Sequence, residues 1–287
     1  MKMIHRVALA AGVAAIAAMP ASATHSWGGY HWAGNGSDIT IKVNKAITSQ
    51  WATSVNAAIA DWNSSNELTL INQNAPAGTN AKKCSPIAGQ ILVCNSAYGN
   101  RGWLGIASIW TDGNGRIVQG TTKLNDSYYG SGSSYNTPGF RALVACQEVG
   151  HDFGLAHQNE NFTNLNVGSC MDYTNNPDGG GTNGTLSNRR PNAHDYDQLA
   201  TIYASADSYN SGTTAVTTNF GVRQVGQAAS KAHTEGSGDS PAEWGDAVHH
   251  DGEGRPDQFV RRYSDGTQMI THVLWAPSAA GVKDHEE

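Results

Sequence analysis

Residues 146–158, CQEVGHDFGLAHQ, constrain this chain more than any other stretch. Gln147 and His151 stand four apart, one helical turn, so they leave the same face of a helix toward a common centre. Glu148 lies beside that face. Gly154, three residues after His151, can take the positive φ that ends a helix, which lets the chain turn back and bring His157 to the same centre. A lone helical histidine is ordinarily a solvated or hydrogen-bonded side chain. Two histidines, a glutamate and a glycine in register call for a shared cause, and metal ligation beside a general base is the chemistry that needs these types at this spacing.

Periodicity supplies the surroundings. SDITIKVN alternates Ile39, Ile41 and Val43 with polar residues, the period of a half-buried strand. In ITSQWATSVNAAIADWN, Trp51, Val55, Ile59 and Trp62 form one helical stripe, and its tryptophans read as core. LTLIN and QILVC are strand-like, and WLGIASIW and RIVQGTTKLN, joined by TDGNG, predict a hairpin. A helix begins at Thr137 as cap, with Pro138 at its first position and Phe140, Leu143 and Val144 on its apolar face, and runs into the opening motif. Asn192 and Asp195 suggest a capping box for a last helix whose stripe is Tyr196, Leu199, Ile202 and Tyr203. Together these predict an α+β unit over 24–205. The passage 206–255 is rich in Gly, Ser, Thr, Ala and Asp and reads as a linker or loop, and 256–287 as a C-terminal hairpin (DQFVRRY, QMITHVLW) and tail.

The beginning of the chain, MKMIHRVALAAGVAAIAAMPASA, has a basic start, an alanine-rich apolar run and an A-x-A-type end. That pattern predicts a signal peptide over 1–23 and a secreted protein, extracellular or periplasmic. Its apolar run is shorter than the roughly 20 residues a bilayer requires, so no membrane association is expected. Loss of Lys2 and Arg6 takes the formal net charge from −6 to −8, which disfavours nucleic acid as a partner. Export makes disulfides the default for Cys84, Cys94, Cys146 and Cys170. Four cysteines allow three connectivities. The favoured one joins Cys84 to Cys94, closing a short loop, and Cys146 to Cys170, tying the motif helix to a later turn. A tetrathiolate zinc site competes with it, although the chain has no C-x-x-C pair.

Set against H-E-x-x-H-x-x-G-x-x-H, QEVGHDFGLAH differs at one position, and SCMDYT resembles a Met-turn with Met171 beneath the metal. The chain therefore resembles the metzincin zinc proteases, most closely a matrixin-like secreted form. The likeness covers roughly residues 36–205. It implies a metzincin-like catalytic domain: a twisted mixed sheet with an antiparallel edge strand, an active-site helix, a Met-turn and a C-terminal helix. It also implies zinc held by Gln147, His151 and His157, with Glu148 taking a proton from water as it attacks a peptide carbonyl. Tyr173 matches a tyrosine that touches the metal or the oxyanion in astacin-like and serralysin-like members; the alternative is a buried, hydrogen-bonded tyrosine. The substrate would be an extended polypeptide laid antiparallel along the edge strand at Leu104, Gly105, Ile106 and Ala107 by strand addition.

Ile106 stands where matrixins commonly carry a histidine for a second, structural zinc, so that site is not expected. With no upstream cysteine, latency by a cysteine switch is not expected either. The amide oxygen of Gln147 is a weaker zinc donor than imidazole, but it is neutral and preserves the full charge of the ion. Calcium is a further candidate cofactor, at Asp112 and Asn114 or in the loop 174–188, although D-G-N-G suits a turn without metal. His194 is a weak substitute ligand, and His249 and His250 read as tail residues. The reading is a monomeric secreted zinc endopeptidase. Its rivals are a catalytically impaired homologue that binds peptides without turnover and, last, a structural surface protein.

Overall fold

The computed structural model describes residues 24–34, 39–212 and 238–277. The signal peptide expected over 1–23 lies outside them. Strands are β1 (His31–Trp32), β2 (Ile39–Ala46), β3 (Leu68–Asn74), β4 (Gln90–Ser96), β5 (Trp103–Thr111), β6 (Arg116–Asn125), β7 (Asp246–His250), β8 (Pro256–Arg262) and β9 (Gln268–Trp275). Helices are α1 (Ser49–Trp62), α2 (Pro138–His151), α3 (Ala193–Ile202) and the single turn α4 (Pro241–Trp244). Local chemistry sets the helix starts. The Thr137 side chain accepts from the Phe140 amide with Pro138 at the first position of α2, and Asn192 and Asp195 close a reciprocal capping box on α3.

Strand order across the sheet is β3-β2-β4-β6-β5-β9-β8-β7, with β1 beside β6. The β3, β2, β4 and β6 run is parallel, and every pairing from β6 through β5, β9 and β8 to β7 is antiparallel. The architecture is α+β with one mixed sheet. Helices α1 and α2 pack on each other and on one face of it, where Trp51, Val55, Ile59, Trp62, Leu143, Val144, Val149 and Leu199 join Ile41, Val43, Ile91 and Ile109 in the main core. The opposite face carries a smaller cluster of Tyr98, Trp103, Ile106, Trp244, Phe259 and Val273.

Two expectations change. β5 is not an edge strand: its far side is paired along Gly105–Thr111 with β9. The passage 206–255 is not a linker throughout, since its described part holds α4 and β7, and Ser211 bonds to Ala33 and Ile117. In both cases the cause is pairing between segments far apart in sequence, which local composition does not encode. Disulfides join Cys84 to Cys94 and Cys146 to Cys170. The second ties α2 to the 169–173 turn and so fixes the metal-motif helix against the Met171 segment. Among the described residues, no helix is long and apolar enough to cross a membrane.

Candidate metal centre

Helix α2 delivers Gln147, Glu148 and His151 at its buried C-terminal end. Gly154 then turns the chain at φ +89°; an added Cβ would lie 1.9 Å from the Tyr30 carbonyl oxygen, so only glycine fits here. This turn returns His157 to His151, and the two Nε2 atoms lie 3.1 Å apart. Met171 packs under the same helix, its Sδ 2.7 Å from where a Cβ on Gly150 would sit.

Hydrogen-bond partners assign the tautomers. His151 Nδ1 lies 2.7 Å from the Leu155 carbonyl, an acceptor only, so it donates, and His157 Nδ1 donates to the Glu160 carboxylate at 3.2 Å. Each neutral ring then turns an Nε2 lone pair toward the other. Two acceptors at this separation repel unless a cation lies between them, and zinc–nitrogen bonds of about 2.0–2.1 Å at a tetrahedral angle place two nitrogens about 3.3 Å apart. Outer hydrogen bonds of this kind orient metal-bound imidazoles. Burial holds His151 down to about 4, with the Leu155 bond opposing it, and holds His157 well below the usual histidine range. Both rings are thus in the neutral form that ligates.

A third imidazole is present. His272 on β9 is buried, its ring stacked on that of His151 with centroids 4.0 Å apart and edge-on to that of His157 at 4.3 Å. One ligand atom from each of the three rings falls within 4.8 Å of the others. Trp27 closes over His151 and His272 with ring distances of 5.5 and 5.4 Å. Unsatisfied polar atoms concentrate here: both amide atoms of Gln147, both oxygens of Glu148 and Nδ1 of His272 are buried without a hydrogen-bond partner. Buried polar groups are seldom left so, and a cation with its ligands accounts for such a concentration. The donor set fits a zinc ion.

Burial, and secondly the charge of Asp152, pushes the Glu148 carboxyl well above the usual range. Its side chain packs against β5, where a Cβ on Gly105 would meet Glu148 Cγ at 2.7 Å. Tyr173 is buried with its ring 4.1 Å from His157, and its hydroxyl donates to Asp257 Oδ2 at 3.1 Å. Asp257 also accepts from His249 at 2.8 Å, and His249 Nε2 lies 3.6 Å from Glu160. His249 is therefore no loose tail residue. Leu104, Gly105, Ile106 and Ala107 lie on β5, where Gly105, Ile106 and Ala107 are paired on both sides, to β6 and to β9, and Leu104 falls at the irregularity in the β9 pairing. His194 lies away from the triad and stacks on His25 at 4.6 Å.

The calcium candidates find no support. Asp112 Oδ1 accepts from the amides of Asn114 and Arg116 and its other oxygen from Tyr209, while in the 174–188 loop Asp178 pairs with Arg189 and Asn188 bonds to Asp172.

Sequence reasoning missed His272, Glu160 and Asp257, and read His249 as a tail residue. The available signal was a histidine in the middle of the apolar run QMITHVLW, where the strand is buried on both faces.

No protein-family model matches the chain, and no curated protein matches it. Among solved structures, it is similar to high choriolytic enzyme 1, a hatching-enzyme zinc protease from Oryzias latipes (medaka fish). That match has 12% identity over 62% of this chain and 95% of the other, with a TM-score of 0.34. It is also similar to myroilysin, at 14% identity over 63% of this chain and 99% of the other, with a TM-score of 0.33. Similarity this distant leaves the chemistry of the centre to be read from its own residues.

Proposed function

We propose that this chain is a secreted zinc-dependent endopeptidase of matrixin-like metzincin type, acting on extended polypeptides. The observation that carries the reading is the pair of Nε2 lone pairs facing each other at 3.1 Å, each ring fixed by an outer acceptor on Nδ1. His151 and His157 would hold the ion, and Gln147, one turn before His151 on α2, would offer its buried, unpartnered amide oxygen. The chemistry a zinc ion supplies at such a centre is polarisation of a peptide carbonyl and acidification of water. Glu148 takes the proton from that water and delivers it to the leaving amine. Its raised proton affinity suits a group that must both accept and return a proton, and a divalent charge nearby favours the ionised form it needs at the start. The Tyr173 hydroxyl, once released from Asp257, is placed beside His157 to donate to a developing oxyanion. The two disulfides support the secreted assignment.

The test is a Glu148→Gln variant of the zinc-loaded protein assayed on a quenched peptide library. Loss of the general base should lower kcat by about 10²–10⁴-fold while zinc content stays unchanged. Cleavage at the wild-type rate by this variant would remove the mechanism.

A further inference from the structure

The reading of this centre as a peptidase gives a specific meaning to the strand that covers it. On that reading, we infer that the β8–β9 hairpin is the chain's own occupant of the peptide-binding strand position. His272 is then a third imidazole on the metal, and the intact chain is latent.

The register carries the argument. A peptide adds to a sheet by pairing with an open edge strand. Here β9 is laid antiparallel along β5, the direction expected for substrate, pairing Gly105 with Leu274, Ile106 with Val273, Ala107 with His272 and Ser108 with Thr271. The other side of β5 belongs to β6, so no backbone groups remain along Gly105–Thr111 for a second peptide. The strand is anchored beyond the centre as well: the Ala276 amide donates to Gly102 at 2.7 Å, and the Ser108 and Thr271 hydroxyls bond across the pair at 3.0 Å.

The position of His272 adds a chemical block to the steric one. It projects from the residue opposite Ala107 into the His151 and His157 pair, all three rings buried. A catalytic zinc keeps one position open for water, whereas four protein ligands close a tetrahedral site. His151, His157 and His272 with the Gln147 amide make four donors. The rest of the segment engages the remaining polar groups of the centre: Asp257 on β8 accepts the Tyr173 hydroxyl, and His249 on β7 reaches Glu160, the carboxylate that orients His157. One continuous C-terminal segment therefore occupies the peptide strand, completes the metal's ligands and holds the tyrosine. No cysteine is involved.

Two measurements on the full chain test this. X-ray absorption on the zinc-loaded protein should count three imidazoles in the wild type and two in His272→Ala. A count of two in both would remove His272 from the metal. The second places a specific-protease recognition sequence between Gly212 and Gly238 and compares intact with cut protein on the quenched peptide library. A tethered segment acts at an effective concentration of order mM, so micromolar peptide competes poorly, and cutting followed by release of the 238–287 fragment should raise hydrolysis at least about tenfold. Adding the released fragment back should suppress it. Equal hydrolysis before and after cutting would overturn latency while leaving the peptidase reading intact. A fragment that remains bound on size exclusion would mark the hairpin as a permanent wall of the site and equally overturn the inference. Release without activity, in protein that retains zinc, would overturn both readings.

Discussion

Gly105 lies where β5 packs directly against the motif helix, and a single methyl group there tests the packing of Glu148. A Cβ at Gly105 would lie 2.7 Å from each of three atoms: Glu148 Cγ, Glu148 Oε1 and Val144 Cγ1. Carbon atoms in good contact sit about 3.5–4.0 Å apart, so two carbon neighbours must each retreat by about 1 Å. Neither has room, because Val144 and Glu148 are fully buried in α2 and β5 is held between β6 and β9. Overpacking of this kind costs about 1–3 kcal/mol, and removal of glycine's freedom in the unfolded chain returns about 0.4–1 kcal/mol. The backbone at 105 is outside the left-handed region, so no conformational strain is added. Gly105→Ala should therefore lose about 1–2 kcal/mol, a fall in Tm of about 2–8 °C for a unit of this size. Calorimetry of the metal-free variant reads this directly. Gly130→Ala, where nothing lies within 4 Å, is the control and should stay within about 0.5 kcal/mol of wild type. A Gly105→Ala protein as stable as that control would refute the packing of Glu148 against β5.

Burial drives Lys123 down to about 8, with the charges of Asp239 and Glu243 opposing it. A base depressed on folding leaves the unfolded chain with more bound protons between about pH 8 and 10.5, so stability rises with pH across that window. The stability of wild type minus that of Lys123→Met should climb there by a few kcal/mol in denaturant titrations, and a flat difference would contradict the burial of the ammonium. Reduction of the Cys146–Cys170 bond, whose ends are 24 positions apart in sequence, should cost about 3 kcal/mol from loop entropy, measured on Cys146→Ala/Cys170→Ala; an unchanged denaturation midpoint would refute this. Gln147→His replaces a hard amide oxygen with imidazole and should tighten zinc in chelator competition. Unchanged affinity would take residue 147 out of the ligand set.

Much of the fold was legible because its signals are local. The Trp51, Val55, Ile59 and Trp62 stripe, the Thr137 cap and the Asn192–Asp195 box each depend on residues a few positions apart, and they are found as α1, α2 and α3. The D-G-N-G turn between β5 and β6 is of the same kind. His151 and His157 were legible for the same reason, since six residues and one glycine turn bring their rings together. The neighbour of β5 was not. Ser108 and Thr271 are 163 residues apart, and nothing in WLGIASIW states which strand will cover it. Burial on both faces gives β5 and β9 mostly apolar runs without polar alternation, a pattern that fits an interior strand but names no partner. Once β9 is in place, His272 follows from its register opposite Ala107. The third imidazole was hidden by topology and not by chemistry.

The central claim is that His151 and His157 face each other across a metal ion. Zinc per chain, measured by mass spectrometry on purified wild type and on His151→Ala, tests it most directly. The account predicts close to one zinc in the wild type and loss of most of it in the variant. Wild-type protein that remains zinc-free after loading and desalting, or a His151→Ala variant that binds zinc as well as wild type, would contradict it.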